Sequence, residues 1–283
     1  MTKSEYLADT SVRQMMDWLR ARMNDGGNFV HRYTDRKTRK PWACDGLHDA
    51  FRQYNWNEKN WAANKAELDV FRARLRTAVA AHDEAALFDA CQDVLEWGGV
   101  LRGGNRVYLG LRRASLQDEI ACLAKTLSAD REPTKTEIRR NPNDRDTSCR
   151  MNAGFVKIYS VLFDHFVIYD GRVGAALGFL VRLFCEESGR REVPLPLAFA
   201  YGNPNEGHNA NRKQRNPSMG AYQFPRLATN GHVHCVQAMR ASWLLRETLA
   251  ANTTPFSAGE DGFHEVAAGL FMVGYDLGEE QPM

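Results

Sequence analysis

The sequence predicts an all-α fold with one long functional loop. Apolar residues recur at the helical period along most of the 283-residue chain. No segment alternates apolar and polar residues over the length of a strand, and no unit repeats. Residues 188–232 instead contain five prolines. Loops of that length are uncommon in compact domains unless they bind a partner, so we expect a binding role for this one.

Three apolar stripes in the first hundred residues each predict a helix. Thr10 or Ser11 can cap the first helix, and Gly98 with Gly99 ends the third as a C-cap would. The stripes comprise Val12, Met15, Met16, Leu19 and Met23, then Trp61, Leu68, Phe71, Leu75 and Val79, then Leu87, Cys91, Val94 and Leu95.

A polar loop at residues 128–147 separates two further helices. Ser115 with Asp118 resembles a capping box, which predicts the start of the helix before the loop. Thr147 or Ser148 is the predicted start of the helix after it. The two apolar faces comprise Ile120, Leu123 and Leu127, then Phe155, Val156, Tyr159, Leu162 and Phe163.

A carboxylate stands between two strongly apolar segments. The connector 166–169 leads to Asp170, and a nearly complete helical stripe runs from Val173 to Cys185. An aspartate at a helix start commonly caps backbone N–H groups. Held beside a cleft, the same carboxylate can stabilise developing positive charge or activate a water. Both roles are compatible with the sequence.

The last part of the chain predicts two more helices and a frayed end over residues 278–283. We assign residues 1–127 to an N-terminal helical part and residues 128–283 to a catalytic part, or both to one interlocked unit. The helical faces comprise Val236, Met239, Trp243 and Leu244, then Val266, Leu270 and Phe271.

Composition narrows the class of protein. Charged residues make up 25% of the chain and hydrophobic residues 43%, which excludes wholesale disorder. No apolar run reaches the ~18 residues of a membrane span, and the N-terminus lacks the apolar core of a signal peptide. Six cysteines occur without a C-x-x-C motif. We therefore expect a reduced, cytoplasmic protein without a disulfide framework.

The segment Tyr169-Asp170-Gly171-Arg172-Val173 carries a family resemblance. It is similar to the Val-Asp-x-His-Val segment of helix-hairpin-helix DNA glycosylases, which holds their essential aspartate. The Asp-x-Arg-Val form is closest to bacterial 8-oxoguanine-glycosylase-like proteins, some of which excise modified cytosines from phage DNA. The match covers residues 148–185. It implies a helical glycosylase-like fold and a monomeric enzyme that excises a modified base from double-stranded DNA.

The resemblance assigns roles to Asp170 and Lys157. Asp170 matches the catalytic aspartate, and Lys157 occupies the position of a lysine on the preceding helix. Lys157 precedes Asp170 by 13 residues, a shorter interval than the family has, and one glycine replaces the usual glycine-rich hairpin. Lys157 is therefore either a Schiff-base nucleophile or a surface lysine. We favour the second role, which implies a monofunctional enzyme that leaves an abasic site.

Other residues are candidates for contact with DNA or with the base. Two segments are rich in positive charge. Residues 201–226 contain four Lys or Arg residues and one Glu, and residues 20–40 contain seven Lys or Arg residues and two Asp. Either cluster can bind phosphates or form ordinary solvated surface. The candidates for DNA contact are Arg150, Ser148, Arg172, Arg212, Lys213, Arg215, Asn216 and Ser218, and those for the base pocket are Trp97, Asn105 and Tyr222.

We expect neither a metal nor another cofactor. The run His232-Val233-His234-Cys235 lacks the second ligand cluster of a zinc site, and His264-Glu265 lacks the second histidine of a zinc protease. Two alternatives to a glycosylase stay open. One is a non-catalytic DNA-binding module of the same fold, and the other is a defence nuclease that depends on a divalent metal.

Overall fold

A computed structural model describes residues 1–23, 26, 29–36, 38–138, 149–203, 213–227, 230–250 and 254–278. These residues form eleven α-helices and one two-stranded sheet, which confirms the predicted helical class. The helices are α1 Lys3–Ala8, α2 Thr10–Met23, α3 Leu47–Arg52, α4 Trp61–Ala80, α5 Glu84–Trp97, α6 Gly104–Leu111, α7 Leu116–Ser128, α8 Phe155–Leu162, α9 Gly171–Glu187, α10 Gly231–Ala250 and α11 Gly259–Val273. None of these helices is both long and apolar enough to cross a membrane.

The sheet corrects the expectation that the chain has no strands. Strands β1 (His31–Thr34) and β2 (Pro41–Cys44) pair antiparallel, with His31 opposite Cys44. The stacked rings of Tyr33 and Trp42, with centroids 4.6 Å apart, hold the two strands together. Each strand has only four residues, which is too short for an alternating pattern to stand out in the sequence.

Two helix starts differ from those predicted, and a third helix, α7, begins after Ser115 as predicted but is capped by a different side chain. Asp9 accepts hydrogen bonds from the first turn of α2, in place of Thr10 or Ser11. Ser115 makes no capping bond, and the carboxylate of Glu84 accepts from the backbone at the start of α7 instead. The helix predicted from Thr147 or Ser148 begins at Phe155, where Asn152 accepts from two backbone N–H groups.

The remaining boundaries follow the sequence more closely. Helix α5 ends at Trp97, and Gly99 adopts a positive φ of 65°, which glycine tolerates without a steric penalty. The described residues of the predicted loop 188–232 contain a short 3-10 turn, Leu195–Leu197, and two isolated β-bridges, Tyr201 with Arg226 and Met219 with Tyr222, before α10 begins. Residues 279–283, predicted to be frayed, lie outside the described residues.

Helices α8 and α9 lie at the centre of one continuous apolar core. All eight residues of α8 are buried, and α9 buries a run from Val173 to Val181. Helix α8 packs against α4 and α5, while α9 packs against α2 and α11. Elements from both predicted parts of the chain therefore enclose the segment that carries Asp170.

Candidate active site

Asp170 is the N-cap of α9, as the sequence predicts. One carboxylate oxygen, Oδ1, accepts hydrogen bonds from the backbone N–H groups of Arg172 at 2.9 Å and Val173 at 3.1 Å. The other oxygen, Oδ2, lies 3.6 Å from Nζ of Lys157. The cap therefore fixes the orientation of the carboxylate and leaves its second oxygen for an ion pair.

Lys157 is buried, so the expectation that it is a surface lysine is wrong. Its side chain is 8% exposed, and that of Asp170 is 15% exposed. Nζ also donates to the backbone oxygen of Ala153 at 3.2 Å. Lys157 is buried because other parts of the fold surround α8 on all sides. The apolar sequence of α8 indicates such burial, whereas a lysine by itself indicates a surface position.

Gly98 provides the room that the stem of Lys157 occupies. A Cβ atom at position 98 would lie 2.5 Å from Cδ of Lys157 and 2.9 Å from its Cε, closer than carbon atoms approach. The glycine that ends α5 therefore also lets Lys157 reach Asp170. The local sequence predicts that Gly98 ends a helix, but it does not predict that Gly98 makes room for Lys157.

The surroundings keep Asp170 ionised. Burial acts to raise the pKa of Asp170, but the charges of Lys157 and Arg172 and the two backbone donors outweigh it and hold the pKa below its ordinary value. The Arg172 guanidinium lies over the ring of Phe271 at 4.1 Å and that of Tyr275 at 5.0 Å. Asp170 is therefore a fixed negative charge between two cations.

This ion pair lies in the wall of a cavity of about 690 Å³. Ligand pockets in proteins span about 300–1,000 Å³, so the volume suits a small molecule or one nucleotide unit. Aromatic side chains from four separate parts of the chain line it, namely Tyr54, Trp56, Trp61, Trp97 and Phe271. Flat aromatic walls suit a planar ring, which can stack on them.

Two glycines set the wall beside Asp170. A Cβ on Gly202 would lie 2.6 Å from Cα of Gly171, the first residue of α9. The backbone N–H of Gly202 donates to the oxygen of Gly171 at 3.4 Å. Gly202 thus lies directly on the start of α9, and Gly202 and the adjoining Asn203 line the cavity.

The three base-pocket candidates have different locations. Trp97 lines the cavity, whereas Asn105 and Tyr222 do not. Asn105 donates to Val100 O at 3.1 Å and accepts from the side chain of Asn152, which does line the cavity. The Tyr222 hydroxyl donates to the backbone oxygen of Arg190 at 2.7 Å. The side chains of Asn105 and Tyr222 are therefore engaged in hydrogen bonds away from the cavity surface.

Two of the DNA-contact candidates, Arg172 and Arg215, line the cavity. Lys213 lies beside them, with its Nζ 4.3 Å above the ring of Tyr275. Arg150 lies elsewhere, with its guanidinium 4.4 Å above the ring of Tyr108. The described residues thus bring a group of cations to one side of the cavity.

The remaining candidates are polar groups of the long loop and of residues 139–148. Asn216 Oδ1 accepts from the backbone N–H of Ser218, and Ser218 Oγ accepts from that of Phe224, both at 3.0 Å. These two side chains therefore stabilise the loop itself. Ser148 and Arg212 lie outside the described residues.

Sequence reasoning missed several residues of the cavity. Trp61 and Phe271 belong to apolar stripes, and a stripe does not distinguish a core residue from one that lines a cavity. His234 belongs to a motif set aside as a weak zinc signal. Asn64 carried no signal. Within the described residues no group of three His, Cys, Asp or Glu side chains is arranged to hold a metal ion.

His234 lies in the cavity wall as a neutral base. Burial lowers its pKa to about 4, although its Nε2 is hydrogen-bonded to the backbone oxygen of Tyr169 at 2.6 Å. That bond ties α10 to the residue that precedes Asp170. His234 therefore supports the position of the carboxylate.

No protein-family model, no curated protein and no solved structure matches this chain. Its function is therefore inferred from the geometry of the cavity and from the segment around Asp170.

Proposed function

We propose that this chain is a DNA glycosylase that excises a modified base, such as a modified cytosine of phage DNA, and leaves an abasic site. The observation that carries the proposal is the ion pair of Lys157 and Asp170 in the wall of an aromatic cavity. A nucleotide flipped out of the duplex would place its base against the aromatic side chains. Its sugar would then lie beside the carboxylate.

Asp170 is suited to the electrostatic part of this reaction. Cleavage of an N-glycosidic bond develops positive charge on the sugar, and a carboxylate that is already fixed beside the sugar stabilises that charge. The low pKa of Asp170 supports this role, because the carboxylate must be ionised at neutral pH. Asp170 can also orient a water molecule that attacks the sugar.

Lys157 acts as a positioning residue in this proposal. Its ammonium group already faces two acceptors, Asp170 Oδ2 at 3.6 Å and Ala153 O at 3.2 Å. Lys157 thus holds the carboxylate in place while water completes the hydrolysis. The competing role is attack by the amine on the sugar. The two roles predict different products, an abasic site alone or a lysine–DNA adduct that borohydride traps.

The cations beside the cavity are suited to hold the DNA backbone. Arg172, Arg215 and Arg102 line the cavity, and Lys213 lies next to Tyr275. Phosphate contacts of this kind position a duplex without reading its sequence. The base pocket would then provide the selectivity.

The test is formation of abasic sites in DNA with and without modified cytosines, detected with an aldehyde-reactive probe in the presence of EDTA. We expect excision from modified DNA and a loss of at least ~10²-fold in Asp170→Asn, the scale of a lost electrostatic or acid–base group. Asp83→Asn is a matched control, because Asp83 is also an N-cap that accepts from two backbone N–H groups. The control should keep its activity.

Four outcomes bear on the proposal. Binding to DNA without abasic sites would favour the non-catalytic module, and strand cleavage abolished by EDTA would favour a nuclease. Equal turnover by Asp170→Asn and the native chain would remove Asp170 from the mechanism. A trapped adduct that disappears in Lys157→Gln would replace hydrolysis by attack of the amine.

A further inference from the structure

Asn64 is a buried amide in the cavity wall that uses only part of its hydrogen-bonding capacity. It lies on α4 and is 1% exposed. Its Oδ1 accepts from Nε1 of Trp97 at 2.9 Å, but its Nδ2 has no partner among the described residues. Nearly all buried amides in proteins are paired, so an unpaired one requires an explanation.

The contact with Trp97 fixes which end of the amide is unpaired. The indole N–H of tryptophan donates and cannot accept, so Asn64 has to present its oxygen to Trp97. A flipped amide would set N–H against N–H. Trp97 is itself held by Trp56, whose Nε1 donates to the backbone oxygen of Trp97 at 3.2 Å. Asn64 is thus a donor of fixed orientation within an aromatic wall.

We propose that Asn64 is a specificity residue that donates a hydrogen bond to a carbonyl oxygen on the planar ring held in the cavity. The inference rests on the proposed function in taking that ring to be a base. Cytosine, thymine and guanine carry such a carbonyl, whereas adenine presents only an amino group and ring nitrogens. A buried donor of fixed orientation disfavours a ring that places no acceptor opposite it, because the donor then stays unpaired.

Binding of free nucleosides tests the inference without any bond cleavage. Trp56, Trp61 and Trp97 line the cavity, so quenching of tryptophan fluorescence reports occupancy. We would compare 2′-deoxyinosine with purine 2′-deoxyriboside, which lacks the carbonyl, and 2′-deoxycytidine with its 2-thio analogue, whose sulfur is a weak acceptor. The native chain should bind the carbonyl member of at least one pair about tenfold more tightly, the scale of one buried hydrogen bond.

Two substitutions assign that preference to the amide. Asn64→Asp keeps the acceptor for Trp97 and replaces the donor by an oxygen, so the preference should disappear. Trp97→Phe keeps a ring but removes the N–H that orients the amide, so the preference should shrink. Asn60→Asp is the matched control, because Asn60 is the exposed N-cap of the same helix and aspartate caps equally well.

The outcomes separate this inference from the proposed function. An equal affinity for both members of each pair in the native chain overturns it, as does an unchanged preference in Asn64→Asp with native circular dichroism. Loss of the preference in Asn64→Asp but not in Asn60→Asp supports it, even in a chain that forms no abasic sites. Excision without any carbonyl preference would leave the glycosylase proposal intact and remove only the role of Asn64.

Discussion

Removing Lys157 tests the ion pair on which the proposed site depends. Both side chains are at most 15% exposed, and their charged atoms lie 3.6 Å apart. At an effective dielectric constant of about 20, that distance corresponds to an attraction of about 4.6 kcal/mol. Breaking a buried pair by removing one partner costs about 3–5 kcal/mol. Arg172 and two backbone donors still stabilise Asp170, so we expect Lys157→Gln to cost about 3 kcal/mol.

The assay is a double-mutant cycle measured by urea unfolding at neutral pH. The set comprises the native chain, Lys157→Gln, Asp170→Asn and the double variant. Because each single change leaves the other group buried without its partner, the double variant should be more stable than the sum of the single losses predicts. We expect a coupling of about 1–3 kcal/mol. Losses that add to within about 0.5 kcal/mol would refute the interaction.

The same cycle has a pH signature with a definite sign. The pKa of Asp170 lies below its ordinary value in the folded chain. Its contribution to stability is therefore present above that ordinary value and is lost as the pH falls through the folded pKa. In Lys157→Gln the folded pKa rises towards the ordinary value, so the loss of stability on acidification should be smaller and should end at a higher pH, while the pH at which it begins stays set by the unfolded chain. Free energies of unfolding measured from neutral to acidic pH would reveal the shift, and unchanged curves would contradict it.

Three further predictions follow from the cavity wall and its rim. Gly98→Ala should cost about 1–3 kcal/mol because its Cβ meets the stem of Lys157, and that cost should vanish in a Lys157→Ala background, as thermal unfolding would show. Since the pKa of His234 is about 4, the free energy of unfolding should fall below about pH 6.5 and lose about 3 kcal/mol by pH 4, and His234→Gln should flatten this slope. Arg215→Ala should reduce the slope of log affinity for duplex DNA against log salt by about one, whereas Arg246→Ala, an exposed residue of α10, should change it less.

Features that depend on neighbours along the chain could be predicted from the sequence. The apolar stripe from Val173 to Cys185 predicts a buried helix, and Asp170 at its start predicts a cap, because both signals lie within a few residues. Gly98 and Gly99 mark the end of α5 for the same reason. The helical class of the chain follows from the sum of such local signals.

Caps and strands that depend on distant residues were not predictable in this way. Ser115 has the sequence of a cap, yet the carboxylate of Glu84 takes that role and accepts from the backbone of Leu116, 32 residues further along the chain. Strand β1 exists because it pairs with β2 and stacks on it, and neither strand has a pattern of its own. A local sequence signal gives the structural preference of a segment. Tertiary packing decides whether a residue from elsewhere in the chain makes the capping or pairing hydrogen bonds instead.

The sequence by itself determined a helical chain with a capping aspartate, while only the tertiary structure decided what that aspartate faces. In the sequence Lys157 is a lone lysine on an apolar helix, and its spacing from Asp170 argues only against a Schiff-base role. The packing of α8 against α5 buries it, and the missing side chain at Gly98 lets it reach the carboxylate. Asn64 and Trp97 likewise meet only because α4 packs on α5. Periodicity records which face of a helix is buried, but distances between side chains on different helices depend on how those helices pack together.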